Sequence, residues 1–156
     1  LRCYLGQDWG RSFPRGWVWR RSNSCPGRAS LTCSTAVLPF RGRRFAGFFI
    51  GLFAGGRLYR FATYDGARVE SVEVGEHEVR IAARRGPLRL AVAASRREGS
   101  VLASPVDGAM EGRIRESMDA TVSVRLDRDG RELFAGTGTQ AGLEVVHPEV
   151  LRSFVG

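Results

Sequence analysis

Glu116 is the residue of this 156-residue chain that sequence alone marks out for moving a proton. Alternate positions carry Ile114, Met118, Ala120, Val122, Val124 and Leu126, and Glu116 is the charged side chain on that apolar parity. A carboxylic acid on a dry face can donate a proton to an unreactive carbon–carbon double bond. Pairing with Arg113 or Arg115, or a register break here, would remove that property. Glu144, in AGLEVV, is a second candidate carboxylate, but alternation puts it on the face opposite Leu143 and Val145, which also suits a solvent-facing glutamate.

A proton donor of this kind needs an aromatic wall and a polar group to orient the substrate. Both occur in Gly6 to Asn23, GQDWGRSFPRGWVWRRSN, which holds all three tryptophans with Phe13, Pro14, Asp8 and Asn23. Trp17 and Trp19 are two apart and share one face of a strand, where their negative π faces can stabilise a cation. Trp9, Trp17 and Trp19 are equally well read as core anchors, since tryptophan buries a large area. Tyr59 and Tyr64 extend such a lining or pack in the core or at the surface. Asp8 and Asn23 are single polar groups suited to hold a substrate hydroxyl.

Other chemistries find little support. Gly136, Gly138 and Gly142 in GTGTQAG are not followed by the Lys-Ser/Thr of a phosphate loop. His77 and His147 stand alone, and no serine or cysteine triad is readable. Cys3, Cys25 and Cys33 lack metal-ligand spacing, so no metal site and no cofactor is expected. A reduced, intracellular chain is the default, with a Cys25–Cys33 bridge left open. The net charge of +8 comes from 24 basic residues that are all arginine, spread along the chain as GC-rich coding would spread them. That is a solvated surface more than a nucleic-acid interface, so no nucleic-acid partner is expected, with RNA the minor alternative.

The elements that must position these residues are strands. Val79, Ile81 and Ala83 alternate with Glu78, Arg80 and Arg84, and the period-two pattern returns in Leu88–Ala94 and Val122–Leu126. Turn signals at Gly55-Gly56, Asp65-Gly66, Glu98-Gly99-Ser100 and Asp129-Gly130 separate the runs. About nine or ten short strands with 20 glycines predict one all-β domain over 1–156, an antiparallel up-and-down barrel or strongly curved meander sheet with a small lumen. Met110, Ile114 and Met118 fall four apart and leave a short helix as the alternative over Met110–Ala120. Phe45 to Phe53, FAGFFIGLF, is apolar on both parities. It is either a central strand buried by packing or a surface that docks a second lobe or a lipid. The longest apolar run, Phe45–Ala54, is too short for a membrane helix, which needs about 20 residues.

Taken together, these blocks resemble the tocopherol cyclase family over most of the chain. Asp8-Trp9-Gly10, Phe13-Pro14, and Trp17 and Trp19 leading to Ser22-Asn23 resemble its signature. Leu58-Tyr59-Arg60-Phe61, Leu102-Ala103-Ser104-Pro105, Arg115-Glu116-Ser117 and Ala141-Gly142-Leu143-Glu144 are similar to later blocks in the same order. Gly6 stands where the family usually has glutamate, and Arg21 where it has glutamine. The resemblance implies a lipocalin-like lobe, the C-terminal one of two, with the N-terminal lobe absent from this chain. It also implies acid-catalysed closure of a prenylated hydroquinone to a chromanol, an isomerase reaction of vitamin E biosynthesis, in a cytoplasmic or peripheral-membrane protein of bacterial type. The expected partners are a hydrophobic prenylated small molecule, a membrane surface and the N-terminal lobe. Glu116 and Asp8 are the expected catalytic groups; Trp9, Trp17, Trp19, Asn23, Tyr59, Tyr64 and Glu144 would contact substrate. A non-catalytic isoprenoid or lipid binder and a carotenoid-hydratase-like enzyme are the other readings.

Overall fold

Among the described residues the alternating runs form ten antiparallel strands: β1 (Trp17–Ser22), β2 (Ser30–Phe40), β3 (Arg43–Ala54), β4 (Arg57–Ala62), β5 (Arg68–Val74), β6 (Glu78–Arg85), β7 (Leu88–Ser95), β8 (Ser100–Val106), β9 (Ala109–Arg128) and β10 (Arg131–Val146). The structure is a computed structural model that describes residues 13–95, 97, 99–147 and 149. Asp8 and Trp9 lie outside the described residues. The turn signals fall between strands as their chemistry requires: Gly55 and Gly56 have φ of 58° and 75°, and Gly130 has φ of 80°. Met110–Ala120 lies within β9, so the helix alternative falls.

All ten strands make one sheet, ordered β4-β3-β2-β1-β10-β9-β7-β6-β5, with β8 paired to the first half of β9. Laid flat, that path of eight interstrand spacings would separate β4 from β5 by about 38 Å. Thr63–Ala67, which joins them, reaches at most about 20 Å. The sheet therefore curls into a barrel-like wall whose β4 and β5 edges share no ladder among the described residues.

The inner face holds Val18, Leu31, Ile50, Phe61, Ile81 and Leu90, each at most 1% exposed. These and their neighbours form one continuous core, so the small lumen expected from sequence is filled by side chains. Cys25 and Cys33 are buried free thiols, and no bridge joins them. On β3, Phe48, Ile50 and Leu52 face the core, while Phe45, Phe49 and Phe53 are 37%, 43% and 42% exposed on the outer face. The strand is thus not buried on both sides: Phe49 and Phe53 stay open to solvent on the outer face.

The second departure is in β9. Ala120, Val122, Val124 and Leu126 line the core as alternation predicts, but Ile114, Glu116 and Met118 do not share their face. The register runs from Ala141↔Ala120 to Leu143↔Ser117, so β9 spends one more residue than β10, and Met118 and Asp119 both point outward. A matching irregularity on β10, between Gly138 and Ala141, leaves Thr139 and Gln140 exposed, with Gln140 at φ 51°. Such bulges switch which parity faces inward. Glu116 consequently stands on the outer face.

The short turn between β4 and β5 is fixed by Asp65. Its Oδ1 accepts from the backbone N–H of Ala62 at 2.9 Å and of Ala67 at 3.3 Å, and its Oδ2 accepts from Arg60 and Arg85, each at 3.2 Å. Burial pushes this carboxyl up, but the Ala62 N–H, Arg60, the Ala67 N–H and Arg85 together outweigh it and hold it below the ordinary value of 3.8. A depressed carboxyl stabilises the fold above its unfolded value and loses that contribution as pH falls through the folded one. Asp65→Asn should therefore destabilise the protein at pH 7 by about 1–3 kcal/mol, the worth of hydrogen bonds to a charged group. In urea melts the gap between the variant and the unaltered protein should narrow as the pH is lowered below about 4.

Candidate functional site

On the outer face, strand register gathers the candidate acids and the aromatic wall. Glu116 stands directly between Ser100 of β8 and Glu144 of β10, and Glu144 in turn faces Trp19 of β1. Side chains directly opposite on neighbouring strands have Cβ atoms about 5 Å apart, so the two carboxylates and Trp19 form one row. Trp17, two residues before Trp19, donates its indole Nε1–H to Glu144 Oε2 at 2.9 Å. That bond orients both the indole and the carboxylate.

A small apolar cluster supports the row. Trp17, Ile114 and Val146 are buried together, with Phe13, Trp19 and Ala36 packed against them. Phe13 meets the edge of Trp17 at 6.0 Å and 69°, and the Phe13 backbone N–H donates to Pro105 O at 3.0 Å, tying the approach to β1 onto β8. Beneath Trp19 is Gly142: a Cβ there would lie 2.9 Å from Trp19 Cζ3, so the missing side chain lets the indole lie against β10. Across β2, Trp19 is in register with Ser34 and then Phe49, which joins the aromatic pair to the exposed phenylalanines of β3.

The other sequence candidates are not brought to this row. Tyr59 is half-buried against the inner core with Arg57 5.3 Å from its ring centre, and Tyr64 is 75% exposed in the β4–β5 turn beside Arg60. Asn23 follows β1 at the end remote from Trp17. An open cleft of about 460 Å³ at the rim is lined by Glu76, His77, Arg97, Gly99, Arg115, Ser117, Leu143 and Val145, and so opens on the inner parity, away from Glu116 and the tryptophans. Among the described residues no group of three or more His, Cys, Asp or Glu side chains could hold a metal ion. Among the described residues no helix is long and apolar enough to cross a membrane.

The chemically most unusual residue is one that the sequence reading passed over. Arg20, between the two tryptophans' face and the core, points inward and is 0% exposed. Its Nη1 donates to the backbone carbonyls of Val79 and Val92 on the far wall, each at 3.3 Å, while Nε and Nη2 have no hydrogen-bond partner. Burial pushes its guanidinium down from the usual value, with Cys33 opposing; burial likewise raises the Cys33 thiol, with Arg20 opposing. The signal was present: of adjacent Arg20 and Arg21 in a strand, one must face the core.

The sequence profile of the tocopherol cyclase-like family matches residues 2–146. No curated protein and no solved structure matches the chain. The packing of Trp19 on Gly142 makes a local prediction. Gly142→Ala should push the indole off β10, red-shifting tryptophan emission and costing about 1–3 kcal/mol in a denaturant melt, as overpacking does.

Proposed function

Because the chain belongs to the tocopherol cyclase-like family, we propose that it closes a prenylated hydroquinone to a chromanol by acid catalysis on the outer face of β1, β9 and β10. The observation that carries this is the single row of Glu116, Glu144 and Trp19, with Trp17 bonded to Glu144. Glu116 gives its proton to the alkene carbon nearest the ring, leaving a tertiary cation. The faces of Trp17 and Trp19 stabilise that cation. The phenol oxygen attacks it, forming the C–O bond, and the phenol proton goes to a carboxylate, so the product is an isomer of the substrate. Glu144, held by Trp17, receives that proton or orients the phenol; Asp8 of the same signature is a further orienting candidate.

The isoprenoid tail has an apolar path on the same face, from Trp19 past Ser34 to Phe49 and on to Phe45 and Phe53. Exposed Arg43 and Arg44 begin the same strand, and Phe45 follows them. Exposed aromatics beside arginines suit an anionic lipid surface, where such a substrate is dissolved. That surface would cover the uncovered face and keep water from the cation.

Two measurements test this. With a prenylated hydroquinone, Glu116→Gln should lower turnover by at least about 100-fold, the usual share of a general acid. Binding should be nearly unchanged, and retained turnover would remove Glu116 from the mechanism. A product heavier by one water would instead favour hydration. In co-sedimentation with phosphatidylglycerol vesicles, the triple change Phe45→Ser, Phe49→Ser, Phe53→Ser should abolish binding. Unchanged binding of the triple variant, or no binding by the unaltered protein, would remove the lipid surface from this reading.

A further inference from the structure

A guanidinium stays charged at any physiological pH, and an unpaired charge in an apolar interior costs several kcal/mol. Arg20 nevertheless sits fully buried in the core, and among the described residues no carboxylate pairs with it. Cys33, its register partner on β2, is no substitute, because burial favours the neutral thiol. The two bonds it makes are long and both use Nη1. The atoms left over, Nε and Nη2, form one edge of the guanidinium, with parallel N–H bonds spaced to grip both oxygens of a carboxylate. An orphaned edge of that shape, inside a barrel, is a recognition group without its ligand.

A second orphan lies beside it. Thr35 Oγ1 is buried without a hydrogen-bond partner, on the inner face of β2 two residues beyond Cys33. Thr35 is diagonal to Arg20 across the β1–β2 ladder, so the two orphans face the same interior. Around them the core is apolar: Leu31, Ile50 and Phe61 on one side, Ile81 and Leu90 on the other.

We propose that the inner face of the barrel binds a monocarboxylate with an apolar body, its carboxylate paired to Arg20 Nε and Nη2 and its tail taking the space that Phe61 and its neighbours fill in the closed core. The unladdered seam is the way in. Arg20, Cys33, Ile50 and Phe61 form one cross-strand row, and Phe61 belongs to β4, the edge that shares no ladder with β5. Parting these edges breaks no ladder, and movement of Phe61 opens the row toward Arg20. This inner site is separate from the outer row of Glu116, Glu144 and the tryptophans: β1 turns Arg20 to one face and Trp17 and Trp19 to the other.

The test compares decanoate with 1-decanol and methyl decanoate, by calorimetric titration of the full chain at pH 7.5. The three share an apolar tail and differ in the charged fork partner. Decanoate should bind roughly 30-fold tighter than either, the worth of hydrogen bonds to a charged group. In Arg20→Met that preference should disappear while the β-type circular dichroism spectrum persists. Equal binding of the three ligands to the unaltered protein, no binding of decanoate, or a preference retained in Arg20→Met would each overturn the proposal. If Arg20→Met fails to fold, the comparison of ligands on the unaltered protein decides alone.

Discussion

The bulge at Met118 and Asp119 is the constraint on which the rest of the molecule depends. β9 is 20 residues long, and no single parity of so long a strand suits both the core and the outer row. Past the bulge, Ala120, Val122, Val124 and Leu126 wall the interior. Before it, Ile114 and Glu116 turn outward to Trp17, Val146 and Glu144. The compensating irregularity at Thr139 and Gln140 lets β10 follow the same switch, so pairing resumes on both sides. In an unbroken register Met118 would face Leu143 and Glu116 would enter the core opposite Val145, with Ser117 outside opposite Glu144.

Curling imposes the second condition. Thr63–Ala67 is too short to join the edges of a flat sheet, and Asp65 gathers four donors to hold that turn closed. The edges remain neighbours without becoming a ladder. A closed ladder would tie β4 to β5; here Phe61 of the β4 edge ends the cross-strand row that begins at Arg20.

Much of this was legible in the chain. Alternation in Val79–Ala83, Leu88–Ala94 and Val122–Leu126 reports a packed face, and the glycines report turns, because both are local properties. The antiparallel curved sheet followed from them. The bulge was not legible, since Met118 is apolar and fits the parity of Ala120; nothing local marks the residue that steps out of register. The same masking hid the exposure of Phe49 and Phe53, because an apolar run on both parities records two apolar faces and not whether the second is covered. Arg20 was overlooked for a different reason. Burial of an arginine without a partner is rare enough that its neighbours, two tryptophans, drew the inference to the other face.

β1 is therefore the strand where the two halves of the chemistry meet. In six residues it sets Trp17 and Trp19 against the outer carboxylates and Arg20 against the far wall of the core. A slip of one residue would bury the indoles and expose the guanidinium, so the register of β1 must be specified more strictly than hydrophobic patterning requires. Two glycines of β10 supply that specification. Gly142 admits the Trp19 ring on the outer face, and on the inner face a Cβ at Gly138 would lie 2.5 Å from Ser22 Oγ and 2.8 Å from Cys25 Sγ. Each fits a neighbour on β1 or just beyond it in one register only, which is why two close approaches to a bare backbone, one per face, suffice to keep an aromatic wall and a buried cation on opposite sides of a single strand.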